Sequence, residues 1–154
     1  MPKPADAVAP AGLRASALTD DLSFLLARAN AIALGAGNAA LSAHGLKARS
    51  YSVLVLTSGD ARPSQRELAE FLRLDPSQVV SLVDELQSRD LVERLPDPSD
   101  RRANVVVATE AGRALAAAAR DSARNAEERV HAQLTASDRA TLAALLRALA
   151  FPDD

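Results

Sequence analysis

Few of the 154 residues have a type and setting suited to catalysis. The two histidines, His44 and His131, each stand alone on or near a helical stretch. No nucleophile elbow, His-Glu-x-x-His or Walker A sequence accompanies them. Cysteine is absent, which excludes disulfides, thiolate metal sites and thiol-based sensing. No enzymatic activity, cofactor or metal is expected. The residues left to do chemistry are hydrogen-bond donors and guanidinium groups placed where an outside partner can meet them.

The first group lies in "DPSDRRANVVV", residues 97–107. Arg101 and Arg102 suit a narrow DNA minor groove, whose negative potential attracts guanidinium. Asp100, two residues earlier, can orient Arg102 by a charge-assisted hydrogen bond. Asp97 and Asp100 are equally good turn formers, so a purely structural role stays open for both. The second group is Ser77, Gln78 and Ser81, the polar outward positions at the start of a helix. Glutamine pairs bidentately with adenine, and serine bonds several bases or a phosphate. Ser64 and Gln65 open the preceding helix, and a helix N-terminus is a ready phosphate site. Arg66, Arg73 and Arg94 add positive charge nearby.

These groups need elements to hold them. Val105–Val107 form a β-branched run that reads as a short strand, and "LVERL" (91–95) supplies a second. A Pro-containing loop joins them into a hairpin that lifts Arg101 and Arg102 away from the body. Upstream, Ser64 with Glu67 spells a capping box. Asp75 is a second N-cap, followed by Pro76 at the first helical position and Gln78 at the third. Only "RLD" separates the two helices. Ala69, with Val79 and Leu82 ten and thirteen positions on, has the spacing of a helix-turn-helix crossing. An ordinary helical corner looks similar; the hairpin that follows makes the unit a winged helix.

Elsewhere the chain reads as helix. "MPKPADAVAPAG" lacks periodicity and is expected to be disordered. Thr19 with Asp20 and Asp21 suggests an N-cap for a helix running to about residue 43, with a kink or close packing at Gly35 and Gly37 and a stop at Gly45. A second helix covers about 47–58 with Tyr51, Leu54 and Val55 on its apolar face. Thr109 caps a long helix, and Thr135 with Asp138 caps a last one carrying Leu142, Leu145, Leu146 and Leu149 along one face. The expected division is a tail (1–17), a helical dimerisation region (18–45 and 110–150) and a DNA-binding domain (46–109).

Composition agrees with one globular, mostly helical domain: 48% hydrophobic, 25% charged and 3% aromatic residues. A formal charge of −2 gives no bulk attraction to nucleic acid or anionic lipid. The first twenty residues lack an apolar signal region, and no run is expected to approach the roughly eighteen apolar residues of a membrane span, so the expectation is a cytoplasmic protein without a membrane partner.

From about Leu46 to Leu115 the chain resembles the MarR family of winged helix-turn-helix regulators. The motifs that carry the likeness are "HGLKARSYSVL", "LAEFLRLDPSQVVSLVDELQSRDLVER" and "DPSDRRANVVVATEAGR". The Asp-x-Arg of the wing, Asp100 and Arg102, is the most specific. The resemblance implies a homodimer whose terminal helices interlock over a pseudo-palindromic operator in double-stranded DNA, with recognition helices in major grooves and wing arginines in minor grooves. A repressor is expected. It also implies a small aromatic or phenolic effector between the dimerisation helices and the winged domain, where Phe24, Arg28, His44, Arg49 and Tyr51 would lie.

Three departures from the family pattern stand out. Residues 76–88 hold no Lys or Arg but do hold Asp84 and Glu85, where relatives often carry an arginine near Ser81. Asp90 stands where glycine is usual, and Lys47 where a Ser/Thr cap is usual. The acidic helix keeps a rival in view, a winged helix that binds protein rather than DNA.

Overall fold

The computed structural model describes residues 10–100 and 102–152. It divides into two compact units: residues 1–36 with 124–154, and residues 37–123.

The second unit holds the winged helix. Its helices are α3 (Ala48–Thr57), α4 (Gln65–Leu72) and α5 (Pro76–Ser88), followed by strands β1 (Val92–Pro96) and β2 (Asn104–Ala108). The strands pair antiparallel, with Arg94 opposite Val106 and Val92 opposite Ala108. The Val106 amide donates to the Pro63 carbonyl at 2.8 Å, tying the loop before α4 to the hairpin. Leu54, Leu68, Val79, Val83, Leu86, Val92 and Val106 are buried and form the core, and Ala69 sits at the α4–α5 crossing, 4% exposed. On α3 the buried side chains are Ser50, Val53, Leu54 and Thr57. Val55 is 45% exposed, so the apolar face is turned from the expected one. Intrahelical bonds from Thr57 Oγ1 to the Val53 and Leu54 carbonyls let this hydroxyl be buried at little cost.

The caps follow the sequence with one correction. Asp21, rather than Thr19, caps the helix α2 (Leu22–Leu41): its Oδ1 accepts from the Phe24 amide at 2.7 Å. Thr19 instead donates to the Ser16 carbonyl within a 3-10 turn, Ala17–Asp20. That turn and the short helix α1 (Ala11–Arg14) fall partly in the stretch read as a disordered tail. At α3 the lysine ammonium of Lys47 cannot accept a hydrogen bond, and the acceptors come from elsewhere: Asn38 Oδ1 takes the Ala48 amide at 2.8 Å, and Ser50 Oγ takes the Lys47 amide at 2.9 Å. Gly45 ends the α2 region at φ +63° as expected. A Cβ on Gly37 would meet that of Ala48 at 3.5 Å, while one on Gly35 would meet nothing within 4 Å, so only Gly37 lies near another element here.

The first unit contains α1, most of α2, the end of α6 (Glu110–Val130) and α7 (Ala136–Ala150). Thr135 and Asp138 cap α7 reciprocally, as the sequence reads. No residue of α7 is buried. Leu145 and Leu149 are 61% and 69% exposed, and Leu22 on α2 is 75% exposed. The 23-residue stretch Leu22–His44, which contains an 18-residue window of mean hydropathy 1.3, is long and apolar enough to cross a membrane by length and composition. That corrects the expectation of no such run. Ser23, Asn30 and Asn38 interrupt the apolar sequence, but alanines and leucines around them keep the mean high and Arg28 is the sole full charge.

Candidate nucleic-acid interface

Local hydrogen bonds set up the start of α5. Asp75 Oδ1 accepts both the Ser77 amide, at 2.8 Å, and the Ser77 hydroxyl. These bonds hold the Asp75 carboxyl below its usual range, the Ser77 hydroxyl contributing most. Ser81 Oγ donates to the Ser77 carbonyl at 3.0 Å, leaving its lone pairs to accept from a partner. Gln78 is exposed, with no side-chain hydrogen bond among the described residues. Thus Ser77 is committed to the cap, while Gln78 presents a whole amide.

Helix α4 begins with the expected capping box: the Ser64 amide donates to Glu67 Oε2 at 2.7 Å, and Ser64 Oγ accepts from the Glu67 amide at 3.2 Å. The Ser64 amide and the Ser64 hydroxyl, which also donates to Glu67 Oε2 at 2.7 Å, depress the Glu67 pKa. Arg66 points along α4 to Glu70 at 2.8 Å, so its charge is partly answered within the helix. Arg73 forms the left-handed end of α4 at φ +52°, and the Leu74 amide closes the turn on the Ala69 carbonyl at 3.1 Å.

Arg94 departs most from its expected place. Its Nε and Nη2 both donate to Gln65 Oε1 at 2.9 and 2.6 Å, its Nη1 donates to Gln87 Oε1 at 2.6 Å, and its Nη2 donates to Asp84 Oδ1. Its side chain is only 24% exposed. The strand alternation explains this: Val92 points into the core, Glu93 out, and Arg94 in again. Period two was the signal available in the sequence, and reading Arg94 as a surface cation overlooked it.

The wing carries the same lesson for Asp100. Its Oδ1 accepts the backbone amide of Arg102 at 3.0 Å, a turn contact rather than a bond to the guanidinium. Asp97 Oδ1 accepts the amide and hydroxyl of Ser99, both at 2.7 Å, which lowers the Asp97 pKa. Asp97 and Asp100 both shape the loop, which the Asp97 amide closes on the Ala103 carbonyl at 2.9 Å. Arg102 is exposed, and Arg101 lies outside the described residues.

The five effector candidates are divided between the two units, Phe24 and Arg28 in the first and His44, Arg49 and Tyr51 in the second. Phe24 and Arg28 line a groove of about 500 Å³ with Leu18 and Leu25. Tyr51 lines another of about 380 Å³ with Arg113, Ala116 and Arg120. His44 is half-buried, with Nε2 3.0 Å from Ser122 Oγ, so it does not stand alone as the sequence suggests. Arg49 is exposed on α3.

Comparison with known proteins converges on one family. Residues 44–103 match the model of the MarR family. A crystal structure of a MarR-family transcriptional regulator from Rhodococcus sp. RHA1 is 42% identical, covering 90% of this chain and 100% of that one with a TM-score of 0.83. The structure of CouR from Rhodococcus jostii RHA1 bound to p-coumaroyl-CoA is 44% identical, covering 91% and 99% of the two chains with a TM-score of 0.80. The HTH-type transcriptional repressor NicR of Pseudomonas putida is 36% identical over 91 residues, 59% of this chain and 58% of that repressor, so the match spans under two thirds of its length. With the helix-turn-helix and hairpin in place, the chain belongs to the MarR family of transcriptional regulators.

Proposed function

We propose that this chain is a dimeric, sequence-specific DNA-binding repressor of the cytoplasm, released from its operator by a small aromatic acid, free or as a thioester. The observation that carries the reading is the exposed start of α5, where Gln78 stands with an uncommitted amide beside Ser77 and Ser81, next to a wing bearing Arg102. An α-helix fits the major groove, and a wing arginine fits the minor groove. Ser64, Gln65, Arg66 and Arg73 supply donors and charge to the phosphate backbone on either side.

Exposed leucines on α2 and α7 support dimerisation. Isolated apolar residues on a surface are ordinary, but runs of them on α7, which has no buried residue, and on α2, where only Leu41 is buried, call for a covering partner. Helix-turn-helix proteins read paired half-sites, which matches a two-fold dimer. The effector proposal rests on the likeness to CouR with its p-coumaroyl-CoA, together with arginines beside aromatic rings in this chain: Arg28 near Phe24, and Arg113 and Arg120 near Tyr51. Arg49 and His44 are retained as candidates from the sequence.

Gel-shift against duplexes flanking its own gene, with light scattering on the same preparation, tests the reading. A shifted band from a dimer is expected, and aryl carboxylates or their thioesters should abolish the shift without producing monomer. A monomer that shifts no duplex would overturn it.

A further inference from the structure

The two acids of the recognition helix look unfavourable for DNA, and one of them, the exposed Asp84, is answered by an arginine of the same chain. A guanidinium offers five N–H donors. Arg94 commits four of its hydrogen bonds to Gln65, Gln87 and Asp84, drawing together the start of α4, the end of α5 and β1. One N–H remains, too little for a bidentate phosphate contact. Because arginine only donates, the oxygen of each glutamine must face it, and each amide NH₂ is turned to the other side.

We propose that Arg94 is a positioning residue for operator recognition. It neutralises Asp84, fixes α5 against the wing and aims the Gln65 amide NH₂ away from itself, while making no phosphate contact of its own. This rests on the DNA-binding reading above. It separates Arg94 from Arg66, Arg73 and Arg102, whose charges face solvent. Asp84 is thereby a partner of Arg94 and not a repulsive charge on the DNA face.

The test is a titration of Arg94→Ala and Asp84→Asn against two duplexes, the operator that wild-type protein selects from random sequences and a scrambled duplex, over a range of salt. For Arg94→Ala, operator affinity falls about tenfold, the scale of losing hydrogen bonds to a charged group. The operator-to-scrambled ratio falls with it, whereas mere partial unfolding would weaken both duplexes equally. The slope of log affinity against log salt stays as in wild type. A slope smaller by about 0.9 would mark a lost phosphate contact and overturn the proposal. An unchanged ratio would overturn it as well. Asp84→Asn gives a second reading should Arg94→Ala fold poorly, and its sign decides: removing a repulsive acid raises operator affinity, whereas loosening the clamp lowers it. A rise contradicts the proposal. Should wild-type protein select no duplex at all, the DNA-binding reading fails and this inference falls with it, an outcome distinct from the others.

Discussion

Gly112, in the first turn of α6, faces the backbone carbonyl of Leu91 with no room for a side chain between them; a Cβ there would collide with that oxygen and press on Leu54 Cδ1 at 3.2 Å. The approach is held from both sides. The Thr109 amide donates to the same Leu91 carbonyl at 3.0 Å, its hydroxyl donates to the Asp90 carbonyl at 2.6 Å, and the Gly112 amide donates back to Thr109 Oγ1 at 3.0 Å. Thr109 thus fastens the start of α6 to the turn that enters the wing.

Gly112→Ala therefore has to move backbone rather than a flexible side chain. The expected loss is about 3 kcal/mol, the upper part of the range for overpacking, read as a lower midpoint in urea denaturation. A loss under about 0.5 kcal/mol, typical of neutral surface changes, would show that the contact yields easily.

Asp90 occupies the left-handed region at φ +55°. Glycine has no Cβ clash there, although it costs more entropy on folding. Asp90→Gly should be neutral to stabilising by up to about 1 kcal/mol, and Asp90→Val destabilising by about 1–2 kcal/mol. Thermal melts of the pair give the sign, and equal midpoints would contradict the strain argument.

Much of this was legible in the sequence. The capping boxes, the three-residue turn and the hairpin are local patterns, and local hydrogen bonding decides them. Asn38 capping α3 was not legible, because its partner lies ten residues away across a break in the helix. The Arg94 clamp and the Gly112 approach were missed for the same reason: both join residues distant in sequence. Asp100 shows the converse, with a nearby amide taking a carboxylate that the sequence left between two roles.

Three carboxylates, the exposed Glu67 and Asp75 and the half-buried Asp97, have depressed pKa values because caps and turns donate hydrogen bonds to their charged forms. A folded pKa below the unfolded one means stability present above the unfolded value, about 4, and lost as pH falls through the folded value. Urea midpoints of wild type should therefore drop on acidification below about pH 4.5. In a Glu67→Gln, Asp75→Asn, Asp97→Asn variant the drop should be shallower, since the amides cannot titrate. Parallel curves would contradict the assignment.

The exposed leucines of α7 set an oligomer prediction. A carboxylate at Leu145 or Leu149, in Leu145→Asp or Leu149→Asp, puts a charge on the proposed subunit contact while disturbing no buried site of the single chain. Light scattering should show monomer with helical content retained. Dimers as tight as wild type would place the contact elsewhere.

The central claim is that α5 and the wing read DNA, and an anisotropy titration of the selected operator with wild-type and Arg102→Ala protein tests it most directly. Arg102 is exposed and its loop is built by bonds that do not involve its guanidinium, so the variant should fold with unchanged circular dichroism. The account predicts a loss of about 1–3 kcal/mol in operator affinity. Unchanged affinity in a folded variant would contradict it.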